Sequence, residues 1–168
     1  LFRKKFFFSY GWAFGFGYFF TNLYWITISL TFDQNFSFLI PIALVLIPAF
    51  LALFYGLATF FFSLLNMKNV LSAFFLFALL FGLTEFIRGH ILTGFPWNLF
   101  IYSLSNNTSY IQMTSFLGTY GLNLITITFF LIPAILFLKK TKFELILSFV
   151  FFFILISFFL IGELRFND

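Results

Sequence analysis

Residues 84–97 read Thr-Glu-Phe-Ile-Arg-Gly-His-Ile-Leu-Thr-Gly-Phe-Pro-Trp and hold the densest set of reactive groups in a chain otherwise rich in Phe, Leu and Ile. Glu85 and Arg88 stand three residues apart, so on a helix they share a face and can pair there. Gly89 then offers the backbone a turn out of that helix. A charge in hydrocarbon costs about 2.5–3.5 kcal/mol on insertion scales, so both groups need a partner or a wet cavity. Their types allow two arrangements: a salt bridge tying the helix end to the loop, or an Arg88 guanidinium that meets a phospholipid phosphate while Glu85 orients it. A few residues on, Gly94-Phe95-Pro96-Trp97 forms a rigid aromatic turn. Glycine permits unusual dihedrals, proline biases Phe95 away from helix, and tryptophan favours the level of lipid headgroups. Gln112, Tyr120 and Asn123 can line the same cavity or bond between helices. His90 has no identifiable partner to tune it and is assigned no acid–base role.

The elements that position these groups must be membrane helices. With 62% hydrophobic and 8% charged residues and a mean hydropathy of +1.09, the chain lies outside soluble domains, where about 25% of residues are charged. Cysteine is absent, which excludes disulfides, thiolate metal sites and a cysteine nucleophile within these residues, and one histidine makes no metal cluster. No cofactor is called for. The net charge of +4 reads as a topology signal, and nucleic acid is not indicated as a partner.

The fold expected is an all-α integral membrane bundle of about five transmembrane helices, spanning 6–30, 38–65, 70–87, 113–138 and 143–161, with one long periplasmic or re-entrant loop over 88–112. Residues 1–162 then form the transmembrane domain. Gly11 and Gly15 make a Gly-xxx-Gly pair for close helix approach, and Asn22 is expected to bond across helices. Pro48 should kink the second helix. Sorted by loop, Arg3, Lys4, Lys5, Lys68, Lys139, Lys140 and Lys142 fall on one side and Arg88 and Arg165 on the other. This asymmetry implies a cytoplasmic N-terminus, with residues 85–97 facing outward. Three glycosylation sequons, beginning at Asn35, Asn106 and Asn107, lie in outward loops; so short a pattern arises often by chance. The chain begins at Leu1 and stops at Asp168 just after a hydrophobic run, so a fragment of something longer is expected.

Thr84-Glu85-Phe86, Arg88-Gly89 and Thr93-Gly94-Phe95-Pro96-Trp97, followed by Tyr102, Gln112, Gly118 and Tyr120-Gly121, resemble the membrane domain of the apolipoprotein N-acyltransferases. Tyr24-Trp25-Ile26 and Leu53-Phe54 fall where such enzymes carry similar residues. The resemblance implies a multi-pass protein of the bacterial inner membrane, with a phospholipid acyl donor, a diacylglyceryl apolipoprotein acceptor and membrane lipids as partners. It implies that this chain corresponds to spans three to seven of eight, with residues 163–168 starting the link to a nitrilase-like domain. That domain's Glu, Lys and Cys would form an acyl-thioester, splitting one hard exchange into two easier steps. None of the three can be placed here, so the expected site is one of substrate binding only: Glu85, Arg88, Gly94, Phe95, Pro96, Trp97, Gln112 and Tyr120. The aromatic turn would be a wall of the acyl-chain entrance, and Arg88→Ala would weaken lipid use more than folding. Two other readings stay open: a noncatalytic scaffold or transporter subunit, and the membrane part of a polyprenol-phosphate mannose synthase.

Overall fold

The computed structural model describes residues 2–91, 94–138 and 142–166, and among them there is no strand. Leu92, Thr93, Lys139, Lys140, Asn167 and Asp168, invoked above, lie outside the described residues. Six α-helices follow in order among the described residues: α1 (Phe2–Asn22), α2 (Ile40–Leu64), α3 (Val70–His90), the short α4 (Thr108–Ile111), α5 (Thr114–Leu138) and α6 (Lys142–Phe166). Among the described residues, four helical stretches are long and apolar enough to cross a membrane: Gln34–Leu64, Val70–His90, Thr114–Leu138 and Lys142–Arg165. Their large side chains are extensively exposed, as with Phe149 and Phe153 on α6, which suits a lipid solvent rather than water. The protein is a helical membrane bundle, as the composition required.

The helix ends depart from the expected spans for local reasons. The first helix stops at Asn22, where 6–30 was expected, and Tyr24–Thr31 continues as a tighter 3-10 helix. The hydroxyls of Thr27, Ser29 and Thr31 each donate to the carbonyl three residues back, at 2.7 Å. Asn22 also differs from expectation: its amide donates to Tyr18 O at 2.8 Å, within its own helix. The third helix runs past residue 87 to His90, so Gly89 lies inside it and the chain turns out later. In α5, Gly118 breaks the helical path at φ 69°, ψ 163°, a conformation open essentially to glycine alone. The last helix runs through residues 163–166, which were expected to begin a linker.

Two compact units emerge: Leu1–Asn66 with Ile87–Asn98, and Met67–Phe86 with Leu99–Asp168. In the first, α1 packs along α2. A Cβ on Gly15 would sit 3.0 Å from the Ala52 Cα, and one on Gly11 would overlap Thr59 Oγ1 and the Tyr55 carbonyl, so the Gly-xxx-Gly pair is the contact face. Trp12 Nε1 donates to Ala49 O at 3.1 Å, and Thr59 Oγ1 to Phe7 O at 2.7 Å, adding cross-helix bonds. In the second unit, Phe74, Ile132 and Ile135 form a core with α6 residues Leu147 and Phe151. Asn123 Oδ1 accepts from the Ile101 amide at 3.0 Å, and Asn107 caps α4. Glu163 bonds Ser109 and Arg165 bonds Ser115, while a Cβ on Gly162 would overlap the Ser109 carbonyl. Gly162 therefore serves close approach of α6 to the Ser109 backbone.

Candidate functional site

The first unit contains the site. Leaving α3, the chain folds back on itself: Gly94 N donates to Ile91 O at 2.9 Å and Phe95 N to Arg88 O at 3.1 Å. Gly94 has φ +72°, and a Cβ there would stand 2.7 Å from the Gly89 carbonyl, so glycine is required twice over. Arg88 is 1% exposed. Its Nη1 donates to the carbonyls of Phe95 at 2.8 Å and Trp97 at 3.0 Å, tying the aromatic turn to the helix it has just left. The guanidinium carbon also lies 5.1 Å from the Phe19 ring centroid and 5.9 Å from that of Phe95. Two carbonyl dipoles and two ring faces thus solvate a cation that burial would otherwise penalise.

Beside this hook lies a cavity of about 410 Å³. One wall is the α2 face bearing Leu46, Ile47, Phe50, Leu51 and Phe54; Ile26, Arg88, Ile91, Gly94 and Phe95 complete it. Hydrocarbon surrounds the space and Arg88 is the charged group on its boundary, which suits a ligand that is mostly apolar with an anionic or strongly polar end. Trp97 is 56% exposed and meets Trp25 edge-on at 6.0 Å.

Of the residues singled out from sequence, Arg88, Gly94, Phe95, Pro96 and Trp97 share this unit. Glu85, fully buried on α3, belongs to the second unit, as do Gln112 at the end of α4 and Tyr120 on α5. Tyr120 is half-buried, edge-on to Phe86 at 5.2 Å. Asn123 is committed to the Ile101 amide rather than to a cavity. His90 ends α3 with an exposed side chain.

Against known families, residues 2–132 match the apolipoprotein N-acyltransferase N-terminal domain. The chain belongs to that family. It is 42% identical over 127 residues to the apolipoprotein N-acyltransferase of Rhodopseudomonas palustris, 39% over 127 to that of Brucella melitensis and 38% over 127 to that of Allorhizobium ampelinum. Each match covers 75% of this chain and 24% of the relative, so the shared stretch spans about a quarter of those proteins. No solved structure matches the chain. Family membership and the apolar helices together make this a bacterial inner-membrane protein from an acyltransferase lineage.

Of the cavity lining outside the hook, sequence reasoning singled out Ile26 and Phe54 by resemblance, but not the rest of the α2 wall, Phe19 beneath the guanidinium, or Tyr18 and Asn98, which share a hydrogen bond. Wall residues such as Leu46 and Phe50 look like any lipid-facing leucine or phenylalanine. Asn98 carried a signal, being a polar residue directly after the aromatic turn.

Proposed function

We propose that this chain is the part of an apolipoprotein N-acyltransferase that binds and positions the phospholipid acyl donor, presenting it to a catalytic domain that serves the diacylglyceryl apolipoprotein acceptor. The observation that carries this reading is the cavity of about 410 Å³, walled by hydrocarbon and bordered by Arg88. An acyl chain already in hydrocarbon gains no hydrophobic free energy on entering an apolar slot, so shape and packing select it there, and the guanidinium marks the end at which an ester or phosphate would sit. Arg88 holds the turn through Nη1, so its charge is fixed in place before any ligand arrives. With no cysteine among its 168 residues, the chain supplies binding and orientation, and the acyl-thioester step belongs to residues beyond it. With α1 crossing the membrane, the charge asymmetry of the loops supports a periplasmic hook and a cytoplasmic N-terminus.

Leu46→Trp in the full-length enzyme tests this. Leu46 lines the cavity yet is 60% exposed, so an indole there fills the slot from its open side with little strain on the helix packing. KM for phospholipid is expected to rise roughly ten-fold, equivalent to about 1.4 kcal/mol of lost binding, while the thermal midpoint stays close to wild type. An unaltered KM with the indole in place would sink the reading.

A further inference from the structure

We propose that Tyr18 and Asn98 are positioning residues: together they latch the outer end of the aromatic hook onto the end of α1 and so set the width of the lipid cavity. The inference rests on the lipid-binding reading above and concerns how that site is held to size. Two sets of hydrogen bonds fasten the hook, in addition to the ring contacts of Arg88 with Phe19 and of Trp97 with Trp25. Arg88 ties it to α3, the helix from which it emerges, and this fixes the curl of the hook but not its distance from α2. The second fastening reaches across the fold. Tyr18 Oη donates to the Asn98 carbonyl at 2.9 Å, and Asn98 Nδ2 donates to the Asn22 carbonyl at 3.3 Å.

Asn22 is the last residue of α1, where carbonyls lack partners within the helix, so its acceptor is available to a side chain from elsewhere. Asn98 takes a left-handed conformation, φ 58°, which asparagine tolerates better than other residues with a Cβ. That conformation aims its amide and its carbonyl at α1 together. The helix it grips is packed rigidly on α2 through Gly11 and Gly15, and α2 is the wall opposite Phe95. A chain of fixed contacts therefore runs from one wall of the cavity, through α1, to the other wall, and Tyr18 and Asn98 supply its hydrogen bonds at the outer end of the hook, where Arg88 over Phe19 supplies a ring contact at the inner end.

The test uses full-length enzyme carrying Tyr18→Phe, Asn98→Gly and the pair, with a phospholipid bearing a photoreactive group in its acyl chain and the labelled peptides identified. Asn98→Gly keeps the left-handed backbone while deleting the amide. Wild type is expected to label within residues 46–54. In the double variant KM for phospholipid should rise roughly three- to ten-fold with kcat within about two-fold, the size of effect two neutral hydrogen bonds can carry, and labelling of residues 46–54 should fall. Unchanged KM and labelling in the double variant overturn the latch alone. A fall of kcat and thermal midpoint together with the KM change overturns it too, since the pair would then serve general stability. No labelling of residues 46–54 in wild type overturns the lipid-site reading and takes the latch with it.

Discussion

Arg88 shows how one buried side chain can fold a loop and equip a site at once. Its charge sits between two aromatic rings and spends Nη1 on two carbonyls nine residues or fewer away. Deleting it would strand those carbonyls and unfasten the hook, so Arg88→Ala is expected to lower stability along with lipid use, a more even balance than its sequence position suggested. Arg88→Lys separates charge from shape. A lysine ammonium keeps the cation but ends short of the Nη1 position and lacks the planar guanidinium that lies over the Phe19 and Phe95 rings, so the variant should lose about 2 kcal/mol, seen as a lower thermal midpoint of the full-length protein in detergent. A midpoint equal to wild type would mean the bonds to Phe95 and Trp97 contribute nothing net.

The helices themselves test the packing argument. Gly11 and Gly17 lie on one helix six residues apart, yet an added Cβ would overlap Thr59 and Tyr55 at the first and meet nothing within 4 Å at the second. Gly11→Val should cost about 1–3 kcal/mol by overpacking, whereas Gly17→Val should leave the midpoint near wild type, apart from the small propensity change. Equal effects at both sites would show that α1 does not rest on α2 through this face. Long apolar runs made α2, α3, α5 and α6 legible in the sequence, because nothing but a helix satisfies the backbone in lipid. The end of α1 was not legible. Residues 24–31 are at least as apolar as the helix before them, and hydropathy does not distinguish 3-10 from α winding. The hook was readable from Gly, Pro and Trp. The cavity was not, because its walls come from residues 46–54 and 88–95, far apart in the chain and unremarkable in type.

At the scale of the whole molecule, the sidedness of the site turns on α1. It spans 21 residues, about 31 Å at 1.5 Å per residue, enough to cross a hydrocarbon core of about 30 Å. Among the described residues it is nonetheless not one of the four stretches apolar enough to qualify by hydropathy, since Gly, Tyr, Trp and Ser dilute its Phe and the basic triplet occupies its start. If α1 crosses, Arg3 and Lys68 share a side and Asn106 lies opposite, which gathers seven basic residues on one face against two. The positive-inside rule then sets the seven in the cytoplasm. If α1 lies along the surface, Arg3 moves to the side opposite Lys68 and the asymmetry dissolves. Single cysteines at Arg3, Lys68 and Asn106 in the full-length protein, probed with a membrane-impermeant maleimide in intact spheroplasts and read on the peptide bearing each one, separate the cases. Asn106→Cys should label in intact cells, and Arg3→Cys and Lys68→Cys only after permeabilisation. Labelling of Arg3→Cys alongside Asn106→Cys would show α1 to be a surface helix, and labelling of Lys68→Cys alone would turn the hook and its cavity toward the cytoplasm, on the wrong side for a lipoprotein acceptor.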